Sequence, residues 1–372
     1  MIKLSLFVAI VTLTTAQAAP AEWIAYIGTY TRGASKGIYA YRFQPSNGKL
    51  TEIGLVAETS NPSFLAAHSN GRFLYAANEN PMGMVSAFAI ESATGRLKLL
   101  NAVSTKGADP CHLELDRTGK WLFAANYTSG SVAVFPVRAD GSLGDASDFV
   151  QHSGSSVNRE RQEGPHAHQA VVTADNRFVM VSDLGAERIF VYRFDAAKGS
   201  LTPNTPAFAK LADGSGPRHL AFRPDGRFSY ALSELSETVT TFQYDSKGGV
   251  FQELQTLSTL PTGVAGAKSA AEVAVHPNGK FLYASNRGHD SIAIYAIDKS
   301  KGTLTSQGFV PTQGKTPRNF AIGPAGTFLF AANQDSNNIV VFRIDQKTGG
   351  LTPAGSVLSV PAPVSIVFVP TR

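Results

Sequence analysis

Hydrophobic and polar positions repeat along this chain with a period of about 50 residues. Each unit opens on a short alternating stretch, passes through a polar turn, and continues as an apolar run that stops at a polar residue. Six copies occupy residues 61–79, 109–127, 164–184, 216–235, 270–288 and 316–334. The aromatic residues that open their apolar runs are Phe73, Trp121, Phe178, Phe228, Phe281 and Phe328, which lie 48, 57, 50, 53 and 47 residues apart. A period of this length is typical of the blades of a β-propeller.

One unit predicts four antiparallel strands. Residues 112–115 (HLEL) alternate with a period of two, which indicates a strand rather than a helix. The Pro-Asp-Gly sequence at 224–226 predicts a turn, because Pro presets φ and Gly accepts a positive φ. In the fifth copy, residues 281–284 form a second apolar strand, residues 292–297 a third, and a short fourth strand begins at Leu304. Because one blade leaves a hydrophobic face open, neighbouring blades must stack to bury the core.

The fragments outside the six copies supply a seventh blade. Near the start, residues 24–30 resemble a second strand and residues 37–41 a third, while residues 362–369 at the end resemble a first strand. Pairing of the two chain ends would close the ring and remove a free sheet edge. The sequence therefore predicts an all-β, seven-bladed propeller, a single domain over residues 20–372.

The first 19 residues have the pattern of a secretory signal peptide. Lys3 provides the positive start, residues 4–13 an apolar run, and Ala16-Gln17-Ala18 a small-residue cleavage site. No later segment has the length and hydrophobicity of a membrane helix. We therefore expect a periplasmic or secreted protein without a membrane span.

Net charge and cysteine content limit the classes of ligand and the disulfide links that we expect. The net charge of +5 is spread along the chain without a Lys/Arg-rich run, so nucleic-acid binding is not indicated, although a small anionic substrate is compatible with it. Cys111 is the single cysteine, which rules out an intramolecular disulfide, and its place in a first strand favours a small buried hydrophobe. A closed ring has no edge that requires a partner, so a monomer is expected.

Polar residues that differ between copies converge on one mouth of the ring. In an antiparallel pair, the start of the first strand and the end of the second lie at the same end of the blade. The first-strand starts contribute Ser63, His112, His166, His168, Arg218, His219, Arg318 and Asn319. The second-strand ends contribute Asn78, Glu79, Asn126, Tyr127, Asp183, Glu234, Asn286, Arg287, Asn333 and Gln334. Convergent Arg, His and Glu indicate a binding site, whereas the Asn residues have the alternative role of satisfying backbone groups where the strands end.

Two long connections reach the same mouth. Residues 151–163 are polar and carry Arg159 and Arg161, and residues 259–269 are rich in glycine. Long loops on a rigid scaffold often carry function, and disordered linkers are the alternative.

The motif order resembles the seven-bladed lactonase family, which includes propeller-type 6-phosphogluconolactonases and carboxymuconate lactonizing enzymes. The similar segments are GPHAHQA at 164–170, GPRHLAFRPDGRFSYALSEL at 216–235 and AAEVAVHPNGKFLYASNRG at 270–288, and the resemblance runs from GTYT at 28–31 to the closing strand. It implies four catalytic residues, His166 (with His168 as its rival), Arg218, Glu234 and Arg287. It also implies a reaction without metal or cofactor.

The residues suit the hydrolysis of a carbohydrate lactone. The reaction needs a base for water and a donor for the oxyanion. His166 or Glu234 could act as base, and Arg218 could stabilise the oxyanion or orient Glu234. The predicted substrate contacts are His168, His219, Arg318, Asn286 and Asn126. His166 and His168, two apart in a strand, raise a metal pair as an alternative, with His112 or Asp183 as third ligand, but no carboxylate triad accompanies them.

Two other functions stay open at this stage. The same site could serve an intramolecular lactonizing enzyme that acts on a carboxylated diene acid. The chain could also be a non-catalytic binding or interaction propeller, because fold alone does not decide function. The signal peptide places 6-phosphogluconolactone in question as substrate, since that compound forms in the cytoplasm.

Overall fold

The computed structural model describes residues 22–264 and 269–371. Their regular secondary structure is entirely β, with 28 strands in seven four-stranded antiparallel sheets. The prediction of an all-β seven-bladed propeller is therefore confirmed. The predicted signal peptide lies outside the described residues.

The blades follow one another along the chain, except that blade 1 uses both chain ends. Blade 1 contains β1 (Trp23–Thr29), β2 (Gly37–Gln44), β3 (Lys49–Glu58) and β28 (Pro363–Pro370). Blade 2 contains β4 (Pro62–Ala67), β5 (Phe73–Asn78), β6 (Met84–Ile90) and β7 (Leu97–Ser104). Blade 3 contains β8 (Pro110–Leu115), β9 (Trp121–Asn126), β10 (Ser131–Pro136) and β11 (Asp148–Gln151). Blade 4 contains β12 (Ala167–Val172), β13 (Phe178–Asp183), β14 (Arg188–Asp195) and β15 (Ser200–Lys210). Blade 5 contains β16 (Pro217–Phe222), β17 (Phe228–Ser233), β18 (Thr238–Asp245) and β19 (Val250–Ser258). Blade 6 contains β20 (Ser269–Val275), β21 (Phe281–Arg287), β22 (Ser291–Ile297) and β23 (Leu304–Pro311). Blade 7 contains β24 (Pro317–Ile322), β25 (Phe328–Asn333), β26 (Asn338–Ile344) and β27 (Leu351–Ser359).

The two chain ends close the ring. Strand β28 pairs antiparallel with β1, with Trp23 opposite Pro370 and Ile27 opposite Ile366. The innermost strands β28, β4, β8, β12, β16, β20 and β24 each contact the innermost strand of the next blade, and β24 contacts β28 again. The predicted closure by N- and C-terminal strands is therefore confirmed.

The core lies between blades rather than within them. The described residues form seven apolar clusters, one at each interface between neighbouring blades. The second strand of a blade is buried on both faces; every residue of β5, β13, β17 and β25 is buried. This arrangement explains why the second strand is the most apolar part of each sequence copy.

The repeating aromatic residue marks a contact with the next blade. The ring of Phe228 in blade 5 lies beneath Gly302 in the last hairpin turn of blade 6, and Trp121 in blade 3 lies beneath Gly199 of blade 4 in the same way. A Cβ on Gly302 would lie 2.2 Å from the Phe228 ring, and the φ of Gly302 is +72°. The sequence period therefore encodes the stacking of blades.

A β-bulge near the start of the first strand sets the geometry of one mouth. The register with the second strand shifts so that one residue of the first strand has no partner. In blades 2, 3, 4, 5 and 7 these extra residues are Ser63, Cys111, His168, Arg218 and Arg318. Bulges re-aim side chains and are frequent beside active sites. We call this end the site mouth. We call the opposite end the turn mouth, since it carries the hairpin turns between first and second strands at residues 68–72, 116–120, 173–177, 223–227, 276–280 and 323–327.

Candidate active site

A polar cavity of about 330 Å³ opens at the site mouth. Its lining residues are Tyr30, Glu79, Cys111, Tyr127, Arg161, His168, Glu234, Ser269, Arg287 and Arg318. Most of them occupy one of two repeated positions: the bulge of a first strand, or the end of a second strand and the residue directly after it. Arg161 comes from the long connection before blade 4. The cavity is therefore built from equivalent positions that carry different residues.

Glu234 is the centre of the charged network. Its Oε1 accepts a hydrogen bond from Arg161 Nη2 at 2.8 Å, and its Oε2 accepts from Arg218 Nε and Arg287 Nη2, both at 3.0 Å. Burial alone would raise the pKa of this carboxyl, but Arg287, Arg218 and Arg161 outweigh burial and lower its pKa to about 2. A carboxylate held in this way binds protons poorly, so its suited task is to hold the three guanidinium groups in place.

Arg287 keeps donor capacity of its own. Its Nη2 donates to the Ala270 carbonyl at 3.1 Å as well as to Glu234, but its buried Nε has no partner among the described residues. Burial lowers the pKa of Arg287 to about 10, so the guanidinium stays charged at neutral pH.

Arg318 has even fewer partners. Its guanidinium lies over the Tyr30 ring at 5.3 Å and 4.0 Å from Glu79 Oε1, and these are its side-chain contacts within the described residues. The hydroxyl of Tyr30 donates to the Glu79 carboxylate at 2.9 Å. A mostly buried guanidinium with unused donors at a cavity wall is suited to bind an anionic or developing negative oxygen.

The structure separates the two candidate histidines. His168, the bulged residue of β12, lines the cavity, whereas His166 does not. The Tyr127 ring stacks on His166 at 4.6 Å and meets the edge of His168 at 5.5 Å. His166 Nδ1 is 3.0 Å from the Tyr127 carbonyl, and Nε2 is 3.2 Å from Glu163 Oε1. Both nitrogens of His166 therefore already have partners. The bulge turns His168, and not His166, toward the cavity.

Burial keeps His168 neutral. Its surroundings lower its pKa well below 6.5, first through burial and then through the charges of Arg218 and His219. A neutral imidazole has a lone pair that can accept a proton, so His168 is available as a base at neutral pH, although its lowered pKa makes it a weaker base than a free histidine.

The predicted residues Arg218 and His219 form the floor beneath the cavity. They line a smaller space below it, together with Glu272 and Asn319. Glu272 Oε1 is 2.9 Å from His219 Nδ1, and its Oε2 accepts from Asn319 Nδ2 at 2.6 Å. Arg218 donates to the Ala271 carbonyl as well as to Glu234. The contact of Arg218 with Glu234 is compatible with the second of the two predicted roles, the orientation of Glu234.

Asn126 and Asn286 do not line the cavity, and their placement gives no support for substrate contact. The Asn126 side-chain amide donates to Ser131 Oγ at 3.1 Å and lies 3.4 Å from the Thr105 carbonyl. The Asn286 amide donates to the Thr259 carbonyl at 2.6 Å and accepts from the Thr259 hydroxyl at 2.6 Å. Both are wholly buried and fasten the connection from the preceding blade, which is the structural alternative that their sequence position left open.

Several residues of the cavity and its floor were not predicted as site residues from the sequence, among them Tyr30, Glu272 and Cys111. Tyr30 follows the strand of the GTYT segment and so occupies the slot of Glu79 and Tyr127 in blades 2 and 3, a correspondence that the fragmentary first blade conceals. Glu272 is a charge within an otherwise apolar first strand, a signal that could have found it. Cys111 lines the cavity, but burial raises the pKa of its thiol, which argues against a thiolate nucleophile.

Metal binding and membrane insertion are the next two features of the described residues. Within residues 22–264 and 269–371, no group of three or more His, Cys, Asp or Glu side chains is arranged to hold a metal ion. Over the same residues, no helix is long and apolar enough to cross a membrane.

The fold and the site define a propeller with an arginine-rich pocket at one mouth, and comparison with known proteins gives its family. Residues 24–368 match the family described as "Lactonase, 7-bladed beta-propeller". The chain therefore belongs to the seven-bladed β-propeller lactonase family.

Named relatives share most of the chain. The 6-phosphogluconolactonase of Bacillus subtilis is 37% identical over 300 residues, which cover 80% of this chain and 84% of that protein. The 6-phosphogluconolactonase of Formosa agariphila is 37% identical over 303 residues, covering 79% and 85%. Among solved structures, the periplasmic gluconolactonase of Pseudomonas aeruginosa is 36% identical, with a TM-score of 0.89 over 94% of this chain and 100% of that one.

Proposed function

We propose that this protein hydrolyses the ester bond of a sugar lactone in the cavity at the site mouth, and that the lactone carries a negative charge. The observation that carries the proposal is the charge pattern around a neutral histidine. Four arginines, Arg161, Arg218, Arg287 and Arg318, accompany three carboxylates, Glu79, Glu234 and Glu272, at the cavity and its floor. Membership of the lactonase family and the names of its relatives support the same reaction.

His168 is the proposed general base. The water oxygen bonds to the lactone carbonyl carbon while its proton passes to the imidazole, which gives a tetrahedral oxyanion and an imidazolium. The bond between that carbon and the ring oxygen then breaks, and the ring oxygen takes the proton back from His168. The product is the open-chain hydroxy acid, so atoms and protons balance without another reactant.

Arg287 and Arg318 are the proposed contacts for negative charge on the substrate. Both line the cavity, and both have guanidinium donors without a partner among the described residues. Such donors are already oriented in a partly desolvated site, where they stabilise a developing oxyanion more strongly than water does. Glu234 binds three arginines and Arg218 binds Glu234, so we assign both the role of positioning the arginines that contact the substrate.

Charge also supports the anionic substrate. Four guanidinium groups against three carboxylates leave an excess of one positive charge at the cavity and its floor, which favours a lactone with a phosphate or carboxylate group. A phosphorylated and an unphosphorylated aldonolactone would both present the same ring ester to His168, so only turnover can separate them.

The test is proton release by the purified mature protein in weak buffer with a pH indicator. The substrates are glucono-δ-lactone and freshly made 6-phosphogluconolactone, each corrected for spontaneous hydrolysis. The matched variants are His168→Ala and His276→Ala; His276 lies at the turn mouth and contacts the Gly326 carbonyl at 2.7 Å. We expect wild type and H276A to accelerate hydrolysis and H168A to be about 10²–10⁴-fold slower.

Other results would count against the proposal. Equal activity in H168A would remove His168 as base. No acceleration with either lactone would favour a binding propeller, and turnover of a muconate derivative instead would favour the lactonizing enzyme.

We also propose that the protein acts as a monomer outside the cytoplasm. The signal-peptide pattern of residues 1–19 and the closed ring support this proposal. N-terminal sequencing after cell fractionation tests it: a mature chain that begins at Ala19 or Pro20 in the periplasm is expected, and an uncleaved chain in the cytoplasm would contradict it.

A further inference from the structure

We propose that Glu187 is a positioning residue that holds Arg161 against Glu234. Glu187 lies in the turn between β13 and β14, outside the cavity lining. Its carboxylate fastens two separate segments to that turn: the long connection that carries Arg161, and the segment that leads into Arg218. The activity part of this inference rests on the proposed lactonase function.

Five hydrogen bonds converge on the Glu187 carboxylate. From the segment before Arg218, its Oε1 accepts from the Ser215 hydroxyl at 2.6 Å and the Gly216 amide at 2.7 Å, and its Oε2 accepts from the Gly214 amide at 2.7 Å. From the long connection, Oε2 also accepts from Gln162 Nε2 at 2.6 Å and the Ser156 hydroxyl at 3.0 Å. Glu187 is only 1% exposed, and the other residues of its turn, 184–186, are buried as well. A buried carboxylate that accepts hydrogen bonds from two loops links those loops to each other and is not a solvated charge.

The turn that carries Glu187 has a repeated backbone conformation, since Asp290 and Asn337 also have a positive φ at the equivalent positions of blades 6 and 7. Glu187 adopts a φ of +59°, a conformation that is unfavourable for a residue with a long side chain. Two residues earlier, Gly185 lies so close to the Gly164 carbonyl that a Cβ would come within 1.8 Å of that oxygen. The end of the long connection is therefore seated directly on the turn that presents Glu187.

The contact reaches Arg161 through its neighbour Gln162. Gln162 is fully buried, and its side-chain amide donates to the Leu184 carbonyl at 2.9 Å as well as to Glu187. The backbone of residues 156–162 closes on itself, since Ser156 N donates to the Gln162 carbonyl at 3.0 Å and Gln162 N donates to the Asn158 carbonyl at 2.6 Å. The backbone position of Arg161 is thus determined by the buried residue next to it.

Arg161 needs this support. Its side chain is 41% exposed, and it reaches Glu234 Oε1 at 2.8 Å and the Tyr127 hydroxyl at 3.0 Å. A long exposed side chain loses conformational entropy when it is held in one geometry, so such ion pairs are weak unless their backbone is already placed. Glu187 places it without touching the cavity.

The experiment is a double-mutant cycle with Glu187→Gln, Arg161→Ala and the double variant in the proton-release assay. Glutamine keeps the size of the side chain but cannot accept all five hydrogen bonds. We expect E187Q and R161A each to lower kcat/KM by roughly tenfold, in line with the loss of one charge-assisted contact. We expect the double variant to be no slower than R161A alone, because both changes remove the same contact.

The matched control is Asp116→Asn at the turn mouth. Asp116 is also a buried carboxylate that accepts several hydrogen bonds from a loop, among them those of Lys120 N at 2.7 Å and Asn176 Nδ2 at 2.9 Å. A loss of stability alone would act in D116N as it does in E187Q. We expect D116N to leave kcat/KM unchanged, and its combination with R161A to match R161A alone.

A second readout is independent of catalysis. Hydrogen exchange of the backbone amides of residues 156–162 should become at least tenfold faster in E187Q and stay unchanged in D116N. Multiplicative effects of E187Q and R161A on kcat/KM, or unchanged exchange in E187Q, would overturn the positioning role. An inactive wild type would overturn the proposed lactonase function, and the exchange measurement would then decide the role of Glu187 by itself.

Discussion

The two mouths of the propeller use similar side chains for opposite purposes. At the turn mouth, polar side chains pair with the backbone of their own or a neighbouring turn: Asp116 accepts from the amides of Lys120 and Trp121, while His68 and His276 each accept from the amide two residues ahead. At the site mouth, Glu234 binds arginines, and His168 and Arg318 face a cavity. The turn mouth repeats from blade to blade because every hairpin has the same backbone groups to satisfy. The site mouth varies from blade to blade, and we propose that its residues have different roles toward the substrate.

Cavity size alone does not separate the two ends. A larger cavity, of about 640 Å³, opens at the turn mouth between blades 5 and 6. Its polar lining consists of side chains such as Arg223, Asp225, Lys280 and Lys299, with neither a histidine nor a glutamate. Buried charges that meet at one point, rather than open volume, therefore distinguish the site mouth from the turn mouth.

The largest expected difference between the two mouths is in kcat/KM, when the buried carboxylates Glu234 and Asp116 are each replaced by their amides. Glu234→Gln removes the charge that holds three guanidinium groups together, so we expect kcat/KM to fall by roughly 10²–10³-fold. Asp116→Asn removes a carboxylate that accepts from neutral donors at the turn mouth, so we expect a loss of stability of about 1–3 kcal/mol with unchanged kcat/KM. Proton-release kinetics and urea unfolding of both variants make the comparison. Similar kinetic losses in the two variants would remove the functional distinction between the mouths.

A smaller effect is expected from two buried arginines. Arg318→Ala should raise the KM for an anionic lactone by roughly 10–100-fold, because its guanidinium has donors free for the substrate. Arg223→Ala should lower stability and leave KM unchanged, since Arg223 already binds Asp225 and the Lys299 carbonyl, the latter at 2.9 Å. Initial rates over a range of substrate concentrations check both. An unchanged KM in R318A would exclude it as a substrate contact.

The contact between Gly302 of blade 6 and the Phe228 ring of blade 5 should affect stability and not activity. Gly302→Ala combines a positive φ with a Cβ only 2.2 Å from Phe228, so we expect a loss of about 2 kcal/mol. The control is Gly226→Ala, which has a similar φ of +70° but no atom within 4 Å of the new Cβ, and we expect a loss of about 1 kcal/mol. Urea unfolding measures the difference, and KM should not change. Equal losses would mean that the aromatic contact contributes nothing beyond backbone strain.

The smallest expected effect is a pH dependence of stability that comes from three buried histidines in the first strands of blades 3, 4 and 5. Burial lowers the pKa values of His112, His168 and His219 below 6.5 in the folded protein. The unfolded chain therefore binds more protons as pH falls below about 6.5, so the stability present above that pH is progressively lost below it. Glu234, with its pKa lowered to about 2 from 4.5, contributes a similar loss only below about pH 4.5.

Urea midpoints at pH 7.5 and 5.5 measure this effect. We expect a lower midpoint at pH 5.5 and a smaller decrease in His112→Gln, because one of the three groups no longer titrates. An identical midpoint at both pH values in the wild type would show that protonation of these histidines does not destabilise the folded protein.

Much of the fold could be predicted from local pattern. The alternation of residues 112–115, the turn at 224–226 and the spacing of the aromatic residues report local strands and a repeated interface. These are periodic properties, and a propeller multiplies them seven times, so even the incomplete pieces at residues 24–30 and 362–369 could be joined correctly. The Glu234, Arg287 and Arg318 side chains were placed at the cavity for the same reason, since repeated strand ends must meet at one mouth.

The sequence by itself determined the blade count, the closure and the mouth that carries charge, because each depends on a repeat that is visible along the chain. Only the tertiary structure decided that His168 rather than His166 faces the cavity, because a bulge breaks the strict alternation on which strand patterns depend. Only the tertiary structure brought Glu187 to the connection that carries Arg161, since the Glu187 contact with Gln162 joins two loops that are 25 residues apart in the sequence. Periodicity reports what every blade shares, whereas the contacts at the site mouth differ between blades and follow only from the three-dimensional structure.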